Sequence, residues 1–248
     1  MEHSVNYLLR LQYDGSRYEG WQKQKNTDRT IQGKLESVLG QLAGCPVQVN
    51  GSGRTDAGVH ALGQAASVCL PGDIPKEEIL AYANRYLPED IKVLSVSAVD
   101  QRFHARLWAK EKTYCYRIDT GSKKDVFERK YVYGFPFSLD IAAMEQAARF
   151  LEGTHDYKSF CGNKKMKKST VRTVRSISLC QQEGKISLYF TGDGFLQHMV
   201  RIMTGTLIEV GLGKRSPESM KEILEAGDRR AAGFTAPPEG LFLVSVEY

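Results

Sequence analysis

Twice along this 248-residue chain the apolar residues switch from an every-second period to a helical one and back, in the same order. The first pass reads as a strand over 7–13, then a helix over 31–42 with Ile31, Leu35, Val38, Leu39 and Leu42 on one face, then a strand pair flanking a turn at 51–61. A second helix follows Pro75, a residue suited to the first helical position, and turns Ile79, Leu80, Ala83, Tyr86 and Leu87 inward. The alternation over 93–99 closes the pass as a strand with one face buried. The second pass opens with a strand over 113–118 and a helix carrying Ile141, Met144, Ala148 and Leu151 on one side. Strands over 171–180 and 186–191, helices over 198–210 and after Ser216-Pro217, and a strand over 241–248 complete it. Strand, helix, strand, strand, helix, strand is the ferredoxin-like order, here doubled, and it predicts an α+β fold. Joined edge to edge, the two sheets would make one mixed, mostly antiparallel sheet with helices on one face and a cleft on the other. The halves are expected at residues 1–105 and 106–248, with 100–111 lining the cleft.

The turn between the two strands of the first pass carries the chemistry. Gly51-Ser52-Gly53-Arg54-Thr55-Asp56-Ala57-Gly58-Val59-His60-Ala61 puts three glycines, an arginine and a carboxylate into one short connection. Glycine reaches backbone angles other residues resist and lets a ligand approach the main chain. Arg54 and Asp56, with one residue between them, can hold a charge pair over a substrate, and they can equally form an exposed salt bridge on a hairpin turn.

This run resembles the active-site motif of the tRNA pseudouridine synthase A family, and four further runs resemble that family in its order. They are Tyr7-Leu8-Leu9-Arg10-Leu11-Gln12-Tyr13-Asp14-Gly15 with Gly20-Trp21-Gln22, Arg102-Phe103-His104-Ala105-Arg106, Lys112-Thr113-Tyr114-Cys115-Tyr116, and Gly194-Phe195-Leu196-Gln197-His198-Met199-Val200-Arg201. The resemblance implies the pseudouridine synthase fold, two ferredoxin-like (RNP-like) halves sharing a central sheet with the active site between them. It implies isomerisation of uridine to pseudouridine in the anticodon stem-loop of tRNA, at positions 38, 39 and 40, by a homodimer across which each tRNA lies. It also implies Asp56 as the nucleophile, or as the base that removes a ribose proton, and both routes stay open. Arg201 matches the family arginine that keeps the aspartate charged, and Arg54 the residue that assists base flipping. Tyr114 matches the tyrosine that packs on the uracil, although strand alternation puts Tyr116 on the same face.

The reaction breaks the bond from ribose C1′ to uracil N1 and rejoins C1′ to C5. It needs a carboxylate, donors that hold the loosened base and a pocket that excludes water. No redox change is involved, so no cofactor is expected. A target stacked inside folded RNA has to be flipped out first, and the planar Arg54 cation can stack on bases while bonding phosphate.

Charge placement agrees with a polyanionic partner. The net charge is only +5, yet from 157 to 182 there is no acidic residue while Lys158, Lys164, Lys165, Lys167, Lys168, Arg172 and Arg175 crowd together. Each phosphate neutralised releases condensed counterions, which favours binding. Arg106 and Lys110 are further candidates for phosphate contact, as are Lys23, Lys25 and Arg29, with plain surface solvation as the competing reading. The five cysteines, Cys45, Cys69, Cys115, Cys161 and Cys180, are odd in number and widely spaced, and the five histidines show no ligand spacing. Neither a metal nor a disulfide framework is expected. His60 and His104 read as structural hydrogen-bond partners. No apolar run is long enough to span a bilayer and Met1-Glu2-His3-Ser4 does not open a signal peptide, so no membrane partner and a cytoplasmic location are expected. Two rival functions remain at this stage: a tRNA-binding module without catalysis, and a nucleosidase that releases free uracil.

Overall fold

The computed structural model describes residues 4–72, 74–121 and 125–248. The chain is α+β and forms two compact units, Met1–Lys110 with Leu243–Tyr248, and Glu111–Phe242.

In the first unit β1 (Ser4–Tyr13) pairs antiparallel with β3 (His60–Pro71) on one side and with β4 (Ile91–Val99) on the other. β2 (Val49–Gly51) pairs with β3, and β10 (Leu241–Glu247), which brings the chain back to this unit, also borders β3. With α1 (Ile31–Ala43) joining β1 to β2 and α2 (Lys76–Tyr86) joining β3 to β4, the strand order β4-β1-β3 is the ferredoxin-like one. The register sets Tyr7 opposite Val68, Leu9 opposite Ala66 and Leu11 opposite Gln64, and all six are buried. It shifts between Leu11 and Tyr13, a bulge that seats Tyr13 opposite Ala61 at the mouth of the Gly51–Ala61 turn.

Helix α1 starts where Thr30 Oγ1 accepts the Gly33 amide hydrogen (3.3 Å) and ends at Gly44, whose φ of 67° is left-handed. Ile31, Leu35 and Leu39 are completely buried, whereas Leu42 is half-buried. Two details of α2 correct the sequence reading. Pro75 is the N-cap, with ψ at 144°, and not the first helical residue. Tyr86 is 50% exposed, because Ile79, Ala83 and Leu87 take the centre of the inward face and the Tyr86 ring, on its flank, is met by Tyr82 (centroids 4.4 Å apart).

In the second unit β5 (Glu111–Asp119) pairs antiparallel with β9 (Lys185–Gly192), β9 with β8 (Val171–Gln182) and β8 with β7 (Gly153–Asp156). β6 (Tyr133–Gly134) adds to β5 in parallel. Helix α3 (Ile141–Phe150) is capped by Asp140, whose carboxylate accepts the Ala143 amide hydrogen at 3.0 Å, and α5 (Ser219–Ala226) buries Met220 and Ile223. Helix α4 (Met199–Gly211) is buried almost all round. Its two threonines return their hydroxyl hydrogens to the Val200 and Ile202 carbonyls (2.9 and 2.8 Å), which removes the cost of burying them.

Candidate active site

Asp56 and Arg54 lie on the connection between β2 and β3, on backbone tied to the unit from beneath. The Trp21 amide donates to the Thr55 carbonyl (3.0 Å), the Tyr13 and Thr55 hydroxyls are 2.8 Å apart, and Gln64 Nε2 donates to the Gly53 carbonyl (3.2 Å). Gly58, at φ 77°, gives its amide hydrogen to the Tyr18 carbonyl (3.2 Å), and Val59 gives its own to the Asp56 backbone carbonyl (3.2 Å). The first unit's Tyr-Asp-Gly…Gly-Trp-Gln run fits against the turn at glycines for a plain steric reason. A Cβ on Gly20, where φ is 93°, would stand 2.6 Å from the Thr55 carbonyl oxygen and 3.1 Å from the Asp56 carbonyl carbon. A Cβ on Gly15 would overlap the Val59 carbonyl, and one on Gly51 would enter the Trp21 ring. So held, the turn exposes Arg54, half-buries Asp56 and buries Thr55 between them. Burial pushes the Tyr13 hydroxyl up to about 12, against its hydrogen bonds with Thr55 and Gln64, so at neutral pH it stays a neutral donor.

In the second unit Tyr114 is buried on β5 and meets Phe195 edge to face, with ring centroids 5.2 Å apart. Tyr116, the other tyrosine of that strand face, donates its hydroxyl hydrogen to the Pro237 carbonyl (2.8 Å), and burial holds that hydroxyl well above the ordinary tyrosine range. Phe195 begins the run that ends at Arg201 in the first turn of α4, so Tyr114 and Arg201 are tied to one segment. Arg201 Nε donates to the Ala236 carbonyl (2.7 Å), and the Ala236 amide donates to the Arg201 carbonyl (3.0 Å). Arg229 braces the same loop by donating to the Ala232 carbonyl (3.3 Å) and to Thr235 Oγ1 (3.1 Å). Between these segments His198 adopts a left-handed backbone (φ 60°, ψ 4°) ahead of α4, and a Cβ on Gly162 would clash with its ring.

Lys164, Lys165, Lys167 and Lys168 are all exposed on the loop before β8, where Asn163 Oδ1 accepts the Lys165 amide hydrogen (2.9 Å). Arg106 and Lys110 are exposed in the first unit. Lys23 and Arg29 engage Glu36 (2.8 Å) and Glu19 (2.9 Å). His104 Nδ1 accepts the Arg106 amide hydrogen and His60 Nδ1 that of Gly15, both at 3.1 Å, so each supports a turn. Among the described residues no group of three or more His, Cys, Asp or Glu side chains is arranged to hold a metal ion, and no helix is long and apolar enough to cross a membrane.

Residues 11–106 and 147–248, which include Asp56 and Arg201, match the family described as tRNA pseudouridine synthase. The chain belongs to that family. It is 47% identical over 243 residues to tRNA pseudouridine synthase A of Bacillus sp. (strain KSM-64), covering 98% of this chain and 99% of that protein. Similarity to tRNA pseudouridine synthase A of Geobacillus kaustophilus (strain HTA426) is 45% identity over 96% of this chain and 92% of the relative. For tRNA pseudouridine synthase A 2 of Bacillus anthracis it is 42%, over 98% and 99%. The family's reaction, isomerisation of uridine in tRNA, is therefore this chain's reaction class.

Sequence reasoning did not single out Gln64, Tyr13 or Arg229. The first two had a signal, since each shares strand parity with buried residues: Gln64 with Ala66, Val68 and Leu70, Tyr13 with Leu9 and Leu11.

Proposed function

We propose that this synthase converts uridines of the tRNA anticodon stem-loop to pseudouridine without a cofactor, with Asp56 as the group that attacks the nucleoside or removes a ribose proton. Arg201 keeps Asp56 ionised, Arg54 helps extrude the target and fills the vacated space, and Tyr114 packs against the detached uracil. In the balanced reaction the N1–C1′ bond breaks, C1′ bonds to C5, the C5 hydrogen leaves as a proton and N1 regains one. Arg106, Lys110, Lys164, Lys165, Lys167 and Lys168 hold phosphates. The two halves, 1–105 and 106–248, each supply part of this set, and the enzyme works as a cytoplasmic homodimer.

The observation that carries the reading is the tethered turn itself. Asp56 is half-buried and Arg54 exposed on a backbone whose neighbours are fastened to the core, within residues that match a tRNA pseudouridine synthase family. Purified protein incubated with unmodified tRNA transcripts tritiated at uracil C5, with no cofactor added, should release tritium and leave the RNA chain intact. Asp56→Ala should abolish release while RNA binding persists. Tight binding with no release from any transcript points instead to a silent tRNA binder, and free uracil to a nucleosidase. Mapping the modified positions tests the stem-loop assignment, and light scattering with and without tRNA tests the dimer.

A further inference from the structure

Four polar side chains lie buried together under the Arg54–Asp56 turn: Tyr13, Ser52, Thr55 and Gln64, with Ser52 and Gln64 fully excluded from solvent. Such a group is costly unless each member is satisfied, and an apolar filling of the same volume would hold a core at least as well. The hydrogen bonds of Gln64 within it have a fixed direction.

Gln64 sits between two backbone groups that cannot exchange roles. The Ala65 amide can only donate and lies 3.1 Å from Gln64 Oε1, while the Gly53 carbonyl can only accept and lies 3.2 Å from Nε2. The side-chain amide is therefore locked in one orientation. Oε1 also takes the Ser52 hydroxyl hydrogen (2.7 Å), and the second Nε2 hydrogen points to the Tyr13 oxygen at 3.4 Å. The Tyr13 hydroxyl in turn shares a hydrogen bond with Thr55 Oγ1, 2.8 Å away, in which either oxygen can donate. The connection runs from Gln64 through Tyr13 to Thr55. It ends on the residue between Arg54 and Asp56, while the other arm of Gln64 holds the peptide just before Arg54.

The turn needs outside tethers of this kind. Gly51, Gly53 and Gly58 leave it with more backbone freedom than other residues would, and freedom not removed by side-chain anchors is free energy lost when a catalytic group must be held in one place. We propose that Gln64, acting through Tyr13, is a positioning residue that fixes the backbone on both sides of Arg54 and so sets where Asp56 points. The inference rests on the reading of Asp56 as the catalytic carboxylate.

Gln64→Glu tests it at nearly constant volume, replacing the Nε2 donor with an acceptor that faces the Gly53 carbonyl. Tyr13→Phe removes the link to Thr55 and leaves the ring in place. Tritium release from C5-labelled tRNA is measured at a temperature where circular dichroism shows each variant fully folded. A misplacement of about 1 Å costs on the order of a hundredfold in rate. We expect kcat to fall at least about tenfold for Gln64→Glu and by less for Tyr13→Phe, with KM for tRNA within about twofold of wild type, because phosphate contacts are made by other residues. A residue that only stabilised the fold would leave kcat per folded molecule unchanged. If Gln64→Glu does not fold, Tyr13→Phe alone decides. Folded variants with wild-type kcat, or with raised KM and unchanged kcat, overturn the inference even though wild type is active and Asp56→Ala is dead. A wild-type protein that releases no tritium overturns the catalytic reading instead.

Discussion

Asp56 and Arg54 differ in exposure although only Thr55 separates them, and the reason is that Thr55 is held on both its carbonyl and its hydroxyl. Gly20 makes that holding possible, because the chain at φ 93° passes within reach of the Thr55–Ala57 peptides. Gly20→Ala should cost more than about 1–3 kcal/mol, the strain of an unfavourable backbone alone, since the new methyl also meets the Thr55 carbonyl. Urea denaturation measures the loss, and tritium release should fall further than the folded fraction does. Tyr13 supplies a pH prediction. Its hydroxyl ionises near 10 when unfolded and about 12 when folded, so its contribution to stability is fully present below pH 10 and is lost as pH rises toward 12. In denaturation series across that window, Tyr13→Phe should show a stability slope shallower by one proton, about 1.4 kcal/mol per pH unit.

At the scale of elements, the caps and the loop against α4 carry separable loads. Asp140 caps α3 through the Ala143 amide, far in sequence from every proposed catalytic residue, so Asp140→Ala should cost about 1 kcal/mol in denaturant and leave kcat per folded molecule intact. Arg229 instead braces the loop whose Ala236 exchanges two hydrogen bonds with Arg201. Arg229→Ala leaves the Ala232 carbonyl and the Thr235 hydroxyl to find new partners, at about 1–3 kcal/mol. It should also lower kcat several-fold where Asp140→Ala does not. The long elements were legible because their periods are local: α1, α3, β8 and β9 appear within a few residues of where the apolar spacing puts them. β6 and β7, at two and four residues, are too short to show a period. Tyr86 faces out because Ile79, Ala83 and Leu87 take the centre of the inward face, and its ring lies on the flank against Tyr82.

For the whole molecule the relevant quantity is how binding depends on salt. The net charge of +5 is modest, and the lysines at 164, 165, 167 and 168 are concentrated on one exposed loop. Each phosphate contact contributes about 0.7 to 0.9 to the slope of log affinity against log salt. Replacing all four lysines with glutamine should therefore flatten that slope by about three, measured by filter binding of tRNA over a salt series, while turnover at saturating tRNA in low salt stays near wild type. A slope unchanged by the four substitutions would assign the lysines to the solvated surface.

By itself the sequence determined the order and kind of the major elements, the family, and the short run on which Asp56 and Arg54 stand, because each of these is written in neighbouring residues. Only the tertiary structure decided that Gln64 and Tyr13 belong to that run's support, that Arg229 and Ala236 belong to Arg201's, and that residues 243–248 return to the first unit. A polar side chain is stable in the interior only where remote segments bring it partners. Tyr13 meets Gln64 across 51 residues and Arg201 meets Ala236 across 35, separations over which no local period carries information.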